Sequence, residues 1–324
     1  MLWVFPLEKF DLRYTSQWYR WVQEDLEGLK VDFEYVYPEP VVKEIKTGRF
    51  LDTVGTVHFK ASQLQLFASK IISGEVSAGD KILVFDGWFP GMGLIKYWSQ
   101  MSDIPVEIYG IFHAGTYDLY DMTFEKGLSV WARPLEQSWF LMYDKVFVAT
   151  QFHRKLIEST FGDAENVKVT GFPFRMEYTI KTKENIVVFP HRLDWEKNVK
   201  EFDKLSKILS PKYPDWRFIK TFGMIEGKGG YYNVLSRAKV AVSCAYQETW
   251  GIAMMECADL GCHCVVPNSL SYPEMYPDEC RYNSFEKLLK LVELAMKRKD
   301  FTVKHFTCVY RESVKNMVKE MGLL

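Results

Sequence analysis

Two acids and two cations in the second half of the chain have the types and spacing to handle a phosphorylated ligand. Glu248 and Glu256 stand eight residues apart in ETWGIAMME, directly after the apolar run KVAVSCA (239–245). A helix opening at about Gly251 puts Glu248 just before its start and Glu256 near the end of its second turn. The backbone N–H groups of Thr249, Trp250 and Gly251 are then the open donors of a helix start, a setting that binds phosphate. Eight residues at 1.5 Å rise span about 12 Å, comparable to a sugar–diphosphate–ribose unit. One acid could hold sugar hydroxyls and the other ribose hydroxyls, with the diphosphate over the amides. The second group is Arg192 and Lys197 in PHRLDWEKN (190–198), after the apolar run IVVFP. Two cations folded toward one point neutralise a departing diphosphate, the usual demand of glycosyl or phosphoryl transfer. Taken singly, each motif has a plainer reading. E-x7-E also fits a surface acid plus a helix-face acid, and R-x4-K a solvated loop with Lys197 paired to Asp194 or Glu196.

The first half offers residues for a second substrate. His113 ends the strand-like run VEIYGIF and precedes the small-residue turn Ala-Gly-Thr. It is placed to meet a sugar or an acceptor, or to serve as a hydrogen-bonded structural histidine. Asp86 ends KILVFD in the same way and could bind an acceptor hydroxyl, act as a base, or cap a turn. Tyr117 and Asp118 are weaker candidates. His58 and Lys60, at an expected helix start, could take a phosphate or stand in solvent. His153 and Arg154 open another helix, where structural roles are favoured. His191 could simply set the loop of Arg192, and Glu274 in SYPEMYP could close over a nucleotide. Trp18, Tyr19 and Trp21 share one predicted helix at core spacing rather than as a base-stacking platform.

These residues need strand ends to present them, and the pattern supplies strands. Strands are expected at 2–7, 31–38, 81–86, 106–112 and 145–150, with helices at 15–28, 57–73, 91–101, 133–143 and 151–160. The opening MLWVFPLEKFDLRY lacks a basic leader region and is read as the first strand. Residues 167–185, with Gly171, Pro173 and a polar stretch, are read as an interdomain linker. Alternation resumes with strands at 186–190, 216–222, 239–245 and 263–267. Helices are expected at 197–209, 231–237, 251–260, 284–298 and 303–321. Two parallel-sheet α/β domains follow, 1–170 for an acceptor and 171–324 for a nucleotide sugar, facing a cleft. The last helix is expected to cross back to the first domain.

Bulk composition narrows the partners. The chain has 324 residues, 48% hydrophobic and 26% charged, which excludes a disordered or collagen-like chain. Its net charge of −1 argues against a general nucleic-acid coat protein. Residues 1–170 hold 17 Lys/Arg against 23 Asp/Glu, whereas residues 171–324 hold 24 against 19. Lys43, Lys46, Arg49 and Lys60 could still form a local basic rim for a flipped base. No apolar run is long enough for a membrane span. The six cysteines lie in the second half without zinc spacing, as expected of reduced core thiols in a cytoplasmic protein.

The two motifs together carry a resemblance. RLDWEKN is similar to R-L-x-x-E-K-G/N, and ETWGIAMMECADLGCHCVVP to E-G-F-G-x-x-x-x-E-A-x-A-x-G-x-P-V-V, of the family-4-type GT-B glycosyltransferases. Thr249 replaces the usual glycine, and Cys264 stands where proline is common. FPHRLDWEKNVKEF and the stretch from Cys244 to Pro277 resemble the tRNA-queuosine mannosyltransferase family. GDKILVFDGWFPG and IPVEIYGIFHAGTYDLYD resemble glycosyltransferases of large DNA bacteriophages, several of which modify hydroxymethylated bases. The resemblance implies a GT-B fold of two Rossmann-like domains and a retaining, metal-independent hexosyl- or pentosyltransferase. It would need no cofactor, only a UDP- or GDP-sugar as donor. Arg192 and Lys197 would clamp the diphosphate, Glu248 the transferred sugar and Glu256 the ribose, with phosphate support from the amides of Trp250 and Gly251. No Asp-x-Asp metal motif occurs. The favoured acceptor is a hydroxymethylated pyrimidine in phage DNA, with host cytoplasm as the location. Queuosine in tRNA and a small metabolite or glycan are the alternatives, and a nucleotide-sugar sensor without turnover is the non-enzyme reading. No obligate protein partner is expected.

Overall fold

In the computed structural model, residues 1–9, 15–39, 53–222, 227–298 and 312–324 are described. Lys43, Lys46, Arg49 and Cys308 lie outside them. The chain groups into two compact units. One comprises Met1–Ala149, Arg154–Phe174 and Glu312–Leu324, and the other Thr150–His153 and Arg175–Arg311.

The first unit is built on β1 (Leu2–Phe5), α1 (Thr15–Gly28), β2 (Phe33–Tyr35), α2 (Thr53–Ile72), β3 (Lys81–Val84), α3 (Met92–Met101) and β4 (Glu107–Ile111). It continues through α4 (Met122–Glu125), α5 (Ser129–Met142), β5 (Lys145–Val148), α6 (Gln151–Phe161, whose residues through His153 group with the second unit) and β6 (Val167–Val169). Its six strands are parallel, in the order β2-β1-β3-β4-β5-β6. A parallel sheet covered on both faces needs apolar residues at successive positions. Ile82, Leu83 and Val84 of β3 and Val146, Phe147 and Val148 of β5 are accordingly buried. Trp18 and Trp21 of α1 are buried too, which settles the core reading for those two tryptophans.

The second unit contains β7 (Glu184–Phe189), α7 (Val199–Leu209), β8 (Arg217–Lys220), α8 (Gly227–Arg237), β9 (Ala238–Val242) and α9 (Ile252–Asp259). There follow β10 (His263–Pro267), α10 (Tyr272–Met275), β11 (Arg281–Tyr282) and α11 (Phe285–Met296). Five parallel strands run in the order β11-β10-β9-β7-β8. The last helix, α12 (Ser313–Glu320), groups with the first unit and packs on α1, as the expected crossing back requires.

The segment expected as a linker begins differently. Val167–Val169 is the edge strand β6, paired with β5. Three residues are too short for a periodic signal against the polar stretch that follows. The two-residue strand β11 was illegible for the same reason.

Candidate active site

Strand order marks a candidate site in the second unit. β7 leads to β8 on one side of the sheet, while β9 pairs on its other side. This reversal is the switch point at which open α/β sheets bind ligands, beyond the strands' carboxyl ends. The loop after β7 carries Arg192 and Lys197, and the loop after β9 carries Glu248. The register pairs Val187 with Val240 and Val188 with Ala241, so the two loops leave the sheet side by side.

Lys197 closes a single 3-10 turn, Trp195–Lys197, and Asn198 reverses the chain with φ 53° before α7 begins. That turn buries the lysine. Its Nζ donates to Glu248 Oε1 at 2.9 Å and to the Gln247 backbone carbonyl at 2.7 Å. Glu248 Oε2 accepts from the Gly251 N–H at 2.9 Å. Burial alone raises the Glu248 carboxyl, but Lys197, His191 and these hydrogen bonds outweigh it and hold the carboxyl below its ordinary value. Arg192 is turned to acids of its own loop, with Nη1 3.1 Å from Asp194 Oδ2 and Nη2 3.0 Å from Glu196 Oε1. The paired cations therefore share one loop but hold different acids. Lys197 binds Glu248 rather than Asp194 or Glu196.

Gly251 precedes α9 in a left-handed conformation, φ 78° and ψ 37°. A Cβ there would be strained and would sit 3.0 Å from the Tyr272 ring. The expectation of an open Gly251 donor is corrected: its N–H is held by Glu248, because the acid folds back over the helix start like a cap. Thr249 and Trp250 are buried, and the Thr249 carbonyl accepts from Thr150 Oγ1 at 2.8 Å.

Glu256 lies inside α9 and is buried. Its oxygens accept from the Tyr231 hydroxyl at 2.8 Å and the Tyr232 hydroxyl at 2.6 Å. Burial pushes its carboxyl above the ordinary value, against the pull of both tyrosines and Lys228. Each carboxylate oxygen can accept a second hydrogen bond. The two tyrosines were not singled out from sequence, although adjacent tyrosines on a helix beside an expected site acid were the available signal.

In the first unit, Asp86 and His113 leave the adjacent strands β3 and β4. Lys60 Nζ lies 2.7 Å from Asp86 Oδ2, and the Trp88 N–H donates to Oδ1 at 3.2 Å. Burial works to raise the Asp86 carboxyl, and Lys60 and His113 more than offset it, leaving it below the usual aspartate value. Lys60 is thus committed to Asp86 rather than to a solvent-facing basic rim. His113 Nε2 stands 2.7 Å from the Phe85 carbonyl oxygen, and its ring stacks on Trp18 at 5.2 Å.

Sequence reading missed Glu136 of α5. It is fully buried and accepts from the Thr116 N–H at 2.9 Å and Trp88 Nε1 at 2.8 Å, as well as from the Thr116 hydroxyl. Arg133 Nη2 donates to the Thr116 carbonyl at 2.8 Å. This acid fastens the loop of His113 to the loop of Asp86. Its signal was present: Ala132, Glu136, Trp139 and Phe140 fall at helical spacing on the buried face. An acid in such a stripe must find donors inside the fold.

The remaining candidates are held as follows. Glu274 caps backbone N–H groups, accepting from Gln151 at 2.9 Å and Phe152 at 2.6 Å. Arg154 pairs with Glu158, and His153 is fully buried. Tyr117 is in the core, Asp118 accepts from the Tyr120 N–H in a turn, and His58 lies on the exposed face of α2 beside Ser62. The five described cysteines are free and buried. Among the described residues no group of three or more His, Cys, Asp or Glu is placed to hold a metal ion, and no helix is long and apolar enough to cross a membrane.

No family model matches the chain. Over 90 residues it is 36% identical to the tRNA-queuosine alpha-mannosyltransferase of Drosophila melanogaster. That stretch is 28% of this chain and 22% of the length of that relative. Solved structures match far more of it. Sucrose-phosphate synthase from Thermosynechococcus elongatus superposes with a TM-score of 0.65 at 11% identity, covering 100% of this chain and 94% of that one. The apo lipopolysaccharide outer core galactosyltransferase WaaB gives 0.63 at 10% identity, covering 99% of both chains. Anabaena HepE, crystallised with UDP and glucose, gives 0.59 at 10% identity, covering 98% of this chain and 95% of that one. With parallel sheets of six and five strands and these neighbours, the chain has the GT-B glycosyltransferase fold.

Proposed function

We propose that this protein is a glycosyltransferase that takes its sugar from a nucleotide-sugar donor, with retention at the anomeric carbon and without a metal. The observation that carries the reading is the Lys197–Glu248 pair at 2.9 Å, formed by the loops after β7 and β9 at the switch point of the second unit. Arg192 on the same loop and the start of α9 complete a setting for a diphosphate. Arg192 and Lys197 stabilise the charge that develops as the sugar–phosphate bond breaks. Glu248, ionised and fixed by Lys197 and Gly251, takes hydroxyls of the transferred sugar. Glu256 uses the acceptor capacity left beside its two tyrosines for the ribose. The acceptor hydroxyl attacks from the face the diphosphate leaves and passes its proton to a phosphate oxygen.

The first unit is the acceptor unit in this reading, with Asp86 and His113 at the carboxyl ends of neighbouring strands. The acceptor is a hydroxyl on a modified nucleobase. Resemblance to phage enzymes supports a hydroxymethylated pyrimidine in DNA. Similarity over 90 residues to the fly enzyme supports queuosine in tRNA. The acidic balance of residues 1–170 disfavours long contact with a polyanion and favours one extruded base.

The test is incubation with UDP- and GDP-sugars plus hydroxymethylated DNA or bulk tRNA, followed by digestion and weighing of the nucleosides. A pentose or hexose gain on one polymer is the expected result. Binding of nucleotide sugar with no transfer and no release of nucleoside diphosphate would make the protein a sensor instead.

A further inference from the structure

Trp131 lies in the first turn of α5 and is 53% exposed. Topology fixes which end of the first unit it occupies. β4 and β5 are parallel neighbours joined through α5, so the helix has to start at the carboxyl ends of the strands. Asp86 and His113 follow β3 and β4 at those same ends.

Contacts tie the indole to the loop of Asp86. Its ring and that of Trp88 meet edge to face, with centroids 6.2 Å apart and an interplanar angle of 69°. Trp88 is itself held from several sides. Its Nε1 donates to Glu136 at 2.8 Å, and its ring meets the buried Trp139 at 5.1 Å. Its backbone N–H donates to Asp86 Oδ1 at 3.2 Å, and its carbonyl accepts from Lys60 Nζ at 2.7 Å. Trp131 thus rests on a fixed ring two residues from Asp86. The edge-to-face contact and the exposure leave a face of its indole open to solvent. The loop between β4 and α5 also exposes Leu119, Tyr120 and Met122. One exposed apolar side chain needs no explanation, but several at the ligand end of a parallel sheet mark a binding surface.

Such a surface suits a flat, uncharged ring. Every nucleobase has a π face that an aromatic side chain can stack on, and stacking asks for no cation. That fits residues 1–170, which hold 17 Lys/Arg against 23 Asp/Glu. The cation of α5, Arg133, is turned to the Thr116 carbonyl at 2.8 Å and lies 5.7 Å from the Phe124 ring.

We propose that Trp131 is a specificity-determining residue that stacks on the flat heteroaromatic ring carrying the acceptor hydroxyl. This rests on the reading of the first unit as the acceptor unit and names the feature of the acceptor it recognises. Because Trp88 and α5 hold the indole in place, little side-chain freedom is lost when a ring settles on it.

Wild type, Trp131→Ala, Trp131→Phe and Val130→Ala are compared as transferases to an oligonucleotide containing 5-hydroxymethylcytosine and to bulk tRNA. Donor hydrolysis without acceptor, and mass by light scattering, are measured on the same preparations. On the polymer that is glycosylated, Trp131→Ala is expected to raise the acceptor KM by about 10- to 100-fold, with kcat and donor hydrolysis little changed. Trp131→Phe keeps a stacking face and recovers most of the loss. Val130→Ala changes a neighbouring side chain that is 85% exposed, and leaves the acceptor KM as it was. Binding of the polymer quenches tryptophan fluorescence more in the wild type than in Trp131→Phe. An acceptor KM unmoved in Trp131→Ala overturns the proposal alone, and a lower mass in that variant would then make the patch a contact between copies of the chain. An equal rise in Val130→Ala also overturns it, since the effect would not belong to the indole. Donor hydrolysis by the wild type with no transfer to either polymer overturns the acceptor reading and the proposal together.

Discussion

Replacing Lys197 with Met removes the cation from a carboxylate whose side chain is 15% exposed, using a lysine that is 8% exposed. After the change, Glu248 Oε2 keeps the Gly251 N–H, while Oε1 loses its ion pair. Breaking a buried pair by removing one partner costs about 3–5 kcal/mol, on the order of 10 °C in Tm for a unit of this size. The pH dependence separates this from a general packing loss. In the wild type the Glu248 carboxyl lies below its ordinary value. A depressed carboxyl adds stability above its unfolded pKa of about 4.3 and loses it as pH falls through the folded value. Without Lys197, burial dominates and the carboxyl moves above the ordinary value, so the sign of its contribution reverses. The variant is penalised most at neutral pH and recovers as the acid takes up a proton. Thermal unfolding of wild type and variant between about pH 5 and 8 should show the widest Tm gap at the upper end, narrowing as pH falls. Lys197→Met/Glu248→Gln should recover much of the loss, because no buried charge is left alone. A gap independent of pH, or a double variant as unstable as the sum of the singles, would refute the reasoning.

Three other changes test neighbouring claims. Arg192→Ala should lower turnover by about 10²–10³ while changing nucleotide affinity less, since the charge on the diphosphate grows as the bond breaks; full activity would remove Arg192 from that role. Glu256→Gln should weaken nucleoside diphosphate binding more than it slows turnover, and unchanged affinity by calorimetry would remove the ribose role. Glu136→Ala strands the Thr116 and Trp88 donors and should cost about 1–3 kcal/mol per unsatisfied group. It should also raise the KM for acceptor with donor hydrolysis spared; an unchanged acceptor KM would show that Glu136 does not position that loop.

Much of the fold was legible because parallel strands buried on both faces must be apolar along their length. IVVF, KVAV and KILV stand out for that reason, and the site loops follow them directly. The Arg192, Lys197, Glu248 and Glu256 group was nominated from residue type and spacing, and the structure brings Lys197 and Glu248 of it into contact. What spacing could not give was the pairing within it. Whether Lys197 meets Glu196 or Glu248 depends on one 3-10 turn and on β7 pairing with β9, which brings together residues 51 apart in sequence. The contacts of Glu274 were not legible because its partners are backbone N–H groups, which carry no side-chain signature. Glu136 was passed over because its meaning lies in Thr116 and Trp88, which only the adjacent ends of β3 and β4 bring to it.

The most direct measurement is a crystal structure of the protein soaked with UDP or GDP. Both phosphorus atoms are expected at the start of α9, with phosphate oxygens within about 4 Å of the Arg192 guanidinium and Lys197 Nζ, a salt-bridge distance. Diphosphate bound elsewhere on the molecule, with Arg192 still on Asp194 and Glu196, would contradict the assignment.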